Sequence, residues 1–422
     1  MEKTDLLVLG GGPAGLAAAI SAYDSGIRSM IVIDRETDAG GILKQCIHNG
    51  FGLHVFNEEL SGPEYAWRFI EKARERKIDI RTDTMAIDMT SDKKVTVVNP
   101  EKGQYKIQAK AIVLAMGCRE RTRGALNIPG ERPSGIFTAG AAQKFVNIEG
   151  YMPGKTVVIL GSGDIGLIMA RRMTLEGAKV KMVCEVMPYS GGLKRNIVQC
   201  LDDFDIPLKL STTVVEVHGK DRLTGVTIAK VDGKRNVIRG SEEYVECDTL
   251  LLSVGLIPEN ELAKSAGITL DAVTGGAVVN EFLETSVPGV FAAGNILHVH
   301  DLVDNVTAEA ATAGANAAAF IDGIKLQSKQ VIHTKAGGRV RYIVPQRLEL
   351  PLPEGDKKQR FYFRVDNIYR NVRVVIESGD NTLYLAKKPV VAPGEMEHVD
   401  LPYDKLRKLN NDITFRVEAV EG

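Results

Sequence analysis

The sequence predicts an α/β protein containing two Rossmann-like βαβ units, with a small β-rich domain at its C-terminal end. Three observations predict it. A pattern of strand, glycine loop, helix and strand occurs twice; an acidic residue stands 19 positions beyond each glycine loop; and after about residue 330 the pattern turns to β-rich runs separated by Pro, Gly and Asp.

The repeat is visible by direct comparison. Residues 4–35 read TDLLVLGGGPAGLAAAISAYDSGIRSMIVIDR, and residues 155–186 read KTVVILGSGDIGLIMARRMTLEGAKVKMVCEV. In each, a β-branched and leucine run ends in glycines, and a helix rich in Ala, Leu or Met follows. Gly26 or Gly177 stops that helix, and a second β-rich run ends in an acid. A chain of 422 residues is long enough for two or three such folded units.

The glycine loops carry the chemistry. Gly10, Gly12 and Gly15 form the first GxGxxG, with Pro13 and Ala14 between them; Gly161, Gly163 and Gly166 form the second, with Asp164 and Ile165. The first glycine permits the tight turn, the second lets a pyrophosphate approach the backbone, and the third lets helix pack on strand. The phosphates then meet the positive helix N-terminus. Asp34, followed by Arg35, stands 19 residues after Gly15, and Glu185 stands 19 after Gly166. That is where a carboxylate accepts the ribose hydroxyl hydrogen bond. Glu185 would repel a 2′-phosphate, and Val186, Met187 and Pro188 supply no Arg to receive one, so NAD(H) is expected over NADP(H). Lys179 and Lys181 precede the acid within the strand and are expected to face solvent or a partner.

Between the repeats lie a mixed stretch (36–110), a buried-strand pattern AIVLAMG (111–117) and a turn-rich segment through Pro129, Gly130, Pro133 and Gly135. A related pattern, DTLLLSVGLIP, recurs at 248–258. From about 276 the pattern predicts a strand (AVVN), a turn (SVPG), a strand (VFAAGN) and a long Ala-rich helix over 305–320. RVRYIVP, RFYFRV and VRVVIES then mark the separate β domain.

Composition narrows the function classes. Lys plus Arg (53) nearly cancel Asp plus Glu (54), so no global field draws in nucleic acid or an anionic membrane. Small ligands or protein partners are expected. The apolar stretches fall short of the roughly 20 residues a membrane span needs, and no export signal is read at the N-terminus. Five scattered cysteines without a CxxC pair suit a reducing cytoplasm.

The two loops, with AIVLAMGCRER at 111–121 and TSVPGVFAAGN at 285–295, resemble the two-dinucleotide-binding flavoproteins of the pyridine nucleotide-disulfide oxidoreductase superfamily, over about residues 1–325. The resemblance implies FAD on the first loop, NAD(H) on the second, and one domain inserted in the other. It implies an FAD domain from 1–145 and 257–327, an NAD(H) domain from 146–256, and a C-terminal β domain from 328–422. It also implies cofactor contacts from Gly41, Ala115, Gly117, Gly255, Gly294, Asn295 and His300. The motif usually ends in Asp, which meets the ribityl chain; here Asn295 keeps the capacity to hydrogen-bond. The helix that follows would aim its N-terminus at the flavin and stabilise negative charge at the N1/C2 carbonyl edge.

The chain departs from the family where disulfide members carry CxxxxC after GG. Leu43 and His48 occupy those two places, and Cys46 lies between them out of register. Lys44, Cys46 and His48 are therefore the candidate catalytic residues near the reactive edge of the flavin. The segment GGILKQCIHNGFG, with HVHDLVDN at 298–305, resembles a subgroup that includes subunits of opine, proline and hydrogen-cyanide-forming dehydrogenases. It also resembles the flavoprotein found alongside anaerobic glycerol-3-phosphate dehydrogenase. That likeness implies an oligomer or complex with a partner dehydrogenase or iron–sulfur subunit. His298 and His300 form an HxH pair with no third ligand in view, so no metal is expected.

The expected function is an FAD-dependent oxidoreductase that exchanges hydride with NAD(H) and passes electrons to a partner or small acceptor. One alternative is the FAD subunit of an amine, imino-acid or hydroxy-acid dehydrogenase with a structural nucleotide in the second site. Another is a non-catalytic FAD-containing assembly subunit.

Overall fold

In a computed structural model the described residues are 1–324 and 330–420, and they divide into two compact units, Met1–Cys118 with Pro258–Gly422, and Arg119–Ile257. The expected boundary at 327/328 lies outside the described residues.

The first unit is built on a seven-stranded sheet. Glu2–Leu9 lies in its middle and pairs in parallel with Met30–Ile33 on one side and Gly103–Leu114 on the other. Leu6, Leu7, Val8 and Leu9 are buried, as are all four residues of Met30–Ile33. This is why both runs are continuously apolar: a parallel sheet is covered on both faces. Gly103–Leu114 is long enough to serve two neighbours on its other edge. Its first half pairs with the antiparallel hairpin Met85–Met89 and Lys94–Asn99, and its last residues pair in parallel with Val290–Ala292.

Helix Pro13–Asp24 connects the first two strands. Pro13 presets its first turn, and Gly26 ends it in the left-handed region at φ +109°. The expected Ala-rich helix spans Val303–Ile321 and packs on this helix. The packing explains the small residues: a Cβ on Gly314 would lie 2.0 Å from the Ala18 carbonyl oxygen. The expected AVVN strand is absent. Ala277 makes only an isolated bridge to Leu270, because Gly276 is pressed against the Leu297 backbone, where a Cβ would lie 1.7 Å from its oxygen.

Residues 330–420 form a five-stranded sheet, in the order Arg347–Leu350, Gln330–Ala336, Ile413–Ala419, Tyr369–Ser378 and Asn381–Val391. A three-stranded sheet is made by Val340–Val344, Lys358–Val365 and Glu397–Pro402. The two share a core that includes Ile332, Phe361, Phe363, Val374 and Phe415.

The second unit repeats the Rossmann-like pattern. Its five-stranded parallel sheet runs Ile136–Thr138, Thr249–Leu252, Thr156–Leu160, Lys179–Cys184 and Leu208–Lys209. Helix Asp164–Leu175 follows the central strand, and an antiparallel three-stranded sheet from Thr212 to Glu246 is built beside it.

Candidate nucleotide and flavin sites

In the first loop, Gly10 has φ +106°, and a Cβ there would lie 2.4 Å from the Ala115 oxygen. A Cβ on Gly15 would lie 1.7 Å from the Gly10 oxygen, so this contact of helix with loop admits only glycine. Gly12 is different: its nearest neighbour is the Gly41 Cα, 3.7 Å from the ideal Cβ, which leaves the backbone approachable. Gly12 is also the helix N-cap, and no side chain caps that end. First-turn N–H groups are thus left for an external anion. Gly40 and Gly41, both with positive φ, close over the loop, with the Gly40 N–H donating to the Gly11 oxygen at 2.8 Å.

The second loop has the same construction. Gly161 (φ +98°) would place a Cβ 2.0 Å from the Ser253 oxygen, Gly166 one 2.7 Å from the Gly161 oxygen, and Gly163 is an N-cap without a capping side chain.

The two acids are used in a matching way that spacing alone did not reveal. The Asp34 carboxylate accepts the Gly11 N–H at 2.7 Å on Oδ2 and the Glu36 N–H at 2.9 Å on Oδ1. The Glu185 carboxylate accepts the Ser162 N–H at 2.9 Å and hydroxyl at 2.6 Å on Oε2, and the Met187 N–H at 2.9 Å on Oε1. Each acid therefore ties the middle of its own glycine loop to the turn beyond its own strand. Carboxylate oxygens hold about four lone-pair sites, so acceptor capacity is left for a ribose hydroxyl. Asp164 is occupied otherwise: its Oδ1 accepts the Leu193 N–H at 2.8 Å and an Asn196 amide N–H at 2.6 Å. Lys179 is exposed and Lys181 half-buried.

The fold brings the turn Gly294–Asn295 onto the first loop: a Cβ on Gly294 (φ +78°) would lie 2.9 Å from that of Ala14. The Asn295 side-chain oxygen accepts the His300 backbone N–H at 3.0 Å, and its amide donates to the Cys118 sulfur at 3.7 Å. Beneath the turn lies a residue that sequence reasoning missed. Glu309, buried within the Ala-rich helix, accepts the Gly294 N–H at 2.7 Å. It also pairs with His298 Nε2 at 2.8 Å and His300 Nε2 at 3.2 Å. Burial opposes its ionisation, but the two imidazoles outweigh that and hold Glu309 below the usual carboxylate range, while burial pushes His298 down to about 4. The available signal was a lone acid in an otherwise small and apolar helical run, TAEAATAG.

Lys44, Cys46 and His48 each have neighbours of their own. The Lys44 ammonium donates to the Asp38 oxygen at 3.1 Å and lies 3.8 Å from its carboxylate. The His48 ring Nδ1 meets the Asn49 oxygen at 3.1 Å and the ring packs on Phe51. Cys46 lies under the start of the helix Gly62–Glu75, where a Cβ on Gly62 would clash with it at 2.8 Å. Burial pushes its thiol up to about 12. A thiolate is the nucleophile in sulfur chemistry, and this burial disfavours it. All five cysteines are free.

A family model described as pyridine nucleotide-disulphide oxidoreductase matches residues 4–317. The chain belongs to that family. This oxidoreductase is 27% identical over 333 residues to a thioredoxin reductase of Mycolicibacterium smegmatis, which covers 77% of this chain and 97% of the relative. It is 24% identical over 313 residues to the hydrogen cyanide synthase subunit HcnB of Pseudomonas protegens, spanning 69% of this chain and 65% of that subunit. Among solved structures, thioredoxin reductase of T. acidophilum superposes with a TM-score of 0.63 at 25% identity, over 77% of this chain and 100% of the other. The family uses FAD and NAD(P)H. The two approachable glycine loops and uncapped helix starts fit these groups. No helix among the described residues is long and apolar enough to cross a membrane.

Proposed function

We propose that this oxidoreductase takes its hydride from NADH, holds FAD on the first loop and passes the electrons to a second protein. FAD, when bound, would supply the two-electron carrier. The protein's part is binding, orientation and charge. Gly10, Gly12 and Gly15 with Gly41 receive the FAD pyrophosphate, Asp34 the adenosine ribose, and the turn Gly294–Asn295 the ribityl and flavin side. Gly161, Gly163 and Gly166 receive the nicotinamide dinucleotide.

The observation that carries the choice of NADH is Glu185. Its carboxylate is fixed by three donors from Ser162 and Met187. It cannot swing away from a 2′-phosphate without stranding them, and Val186, Met187 and Pro188 supply no counter-charge. The departing electrons have no disulfide to reduce: the family's cysteine places hold Leu43 and His48, and all five cysteines are free. An external acceptor is therefore required, which supports a partner dehydrogenase or iron–sulfur subunit.

Anaerobic titration with NADH and then NADPH, following flavin absorbance, tests the reading, with mass spectrometry of co-purified chains identifying the acceptor. Bleaching by NADH at low excess and by NADPH only at high excess is expected. No bleaching by excess NADH would overturn it. The match to HcnB favours one second reading, a dehydrogenase subunit in which the second nucleotide is structural. That protein would be bleached by an amine, imino-acid or hydroxy-acid substrate and not by NADH.

A further inference from the structure

We infer that the C-terminal β domain is a working part of the flavin site, acting through a metal-free clamp made by Glu309, His298 and His300. The inference rests on the reading that the turn Gly294–Asn295 faces the flavin.

The segment Val299–Asp301 is held from two sides. From the helix, Glu309 takes three N–H donors: the backbone of Gly294 and the Nε2 atoms of His298 and His300. From the β domain, Arg364 donates to the Val299 oxygen at 3.0 Å and lies 3.7 Å from the Asp301 carboxylate. The Met396 N–H donates to the other Asp301 oxygen at 3.1 Å. Tyr362 covers both imidazoles, its ring centre 5.4 Å from each, and Tyr342 meets His298 edge-on. His298 and His300 have no side-chain exposure.

A rigid connection follows. Arg364 and Tyr362 fix the backbone and rings of the HVHD segment, the rings fix Glu309, and Glu309 and the His300 N–H fix Gly294 and Asn295. The β domain thereby sets the position of a turn lying more than 60 residues earlier in the chain. In this way it is a positioning element for the cofactor.

The same three side chains have the make-up of a metal site, but their arrangement favours hydrogen bonds. The 2.8 Å contact of His298 with Glu309 is hydrogen-bond length, and one Glu309 oxygen is already committed to Gly294. No fourth protein ligand completes the group among the described residues. Neither Nδ1 atom has a hydrogen-bond partner, whereas a metal-bound imidazole carries an N–H at its other nitrogen that needs an acceptor.

The test uses the full chain with the substitutions Arg364→Met, Tyr362→Ala, Tyr362→Phe and Glu309→Gln, and His298→Ala as the metal control. The readouts are FAD affinity by fluorescence quenching, flavin reduction potential by dye equilibration, far-UV circular dichroism and metal content of the wild-type protein. Arg364→Met and Tyr362→Ala should weaken FAD binding about tenfold or more with unchanged circular dichroism, while Tyr362→Phe, which keeps the ring, should match wild type. Glu309→Gln keeps an acceptor for Gly294 but removes a buried negative charge, so the flavin potential should move positive. Wild-type affinity and potential in both Arg364→Met and Glu309→Gln would overturn the inference. So would a stoichiometric metal in the wild-type protein that is lost in His298→Ala. If Arg364→Met does not fold, Arg364→Lys with Tyr362→Ala decides the same question. Wild-type protein without FAD would instead refute the functional reading.

Discussion

Replacing Glu185 by Gln perturbs one charge at one place, and the structure gives the size of the effect. The carboxylate accepts two bonds from Ser162 on one oxygen and one from Met187 on the other. A glutamine amide can turn its oxygen toward only one side. With the oxygen toward Ser162, the NH2 group faces the Met187 N–H, donor against donor. One charge-assisted bond worth roughly 2 kcal/mol is lost, and two others fall to neutral strength, at a cost of roughly 0.5–1 kcal/mol each. These bonds exist with and without NADH, so their loss weakens the loop rather than the affinity. What NADH itself loses is the charge-assisted bond from its ribose hydroxyl, roughly 2 kcal/mol, which is a dissociation constant about 30-fold weaker. NADPH loses the same bonds but is relieved of repulsion at the 2′-phosphate, so discrimination should fall at least tenfold. Anaerobic stopped-flow reduction separates the effects: the half-saturating NADH concentration should rise while the limiting rate of flavin bleaching stays within about threefold. An unchanged half-saturation point for NADH in the variant would refute the role of the carboxylate. So would wild-type protein reduced more readily by NADPH.

Three further outcomes are expected. Gly15→Ala should abolish FAD retention, read from the flavin-to-protein absorbance ratio after purification, because its Cβ would lie 1.7 Å from the Gly10 oxygen. Cys46→Ala should leave NADH oxidation unchanged and wild-type Cys46 should resist iodoacetamide at neutral pH, since burial pushes its thiol up to about 12. Glu281 is pushed up to about 8, chiefly by burial. Its contribution is therefore full below the unfolded value near 4.5 and is lost as pH rises through 8. Glu281→Gln should accordingly raise stability by roughly 3–5 kcal/mol at pH 9 and gain little at pH 4, measured by chemical denaturation at both.

What could be seen in the sequence was local. The glycine loops, their stopping glycines and the acids at equal spacing are short-range requirements of one βαβ unit, and each stands where it was expected. The C-terminal strands were legible for the same reason, since RFYFRV is a short run of β-forming aromatic and branched residues, which lies in one strand. Contacts between distant segments were not. Lys44 looked free to reach a cofactor, yet Asp38 lies in range across a tight turn. The AVVN run has strand-forming residues but no partner strand, because the Leu297 backbone occupies its flank. Glu309 was hidden by helical periodicity: its meaning comes from two histidines about ten residues earlier, which only the fold turns back toward it.

The long strand Gly103–Leu114 and the helix Val303–Ile321 also impose an order on the birth of the molecule. The strand's last neighbour, Val290–Ala292, and the helix that covers Pro13–Asp24 are both made late. All strands of the second unit's parallel sheet are complete by Leu252. At roughly 5–20 residues per second of synthesis, the apolar flank of Pro13–Asp24 waits about 15 to 55 s for its cover. A growing chain thus finishes its second nucleotide fold first, while its first remains an open sheet needing shelter from aggregation.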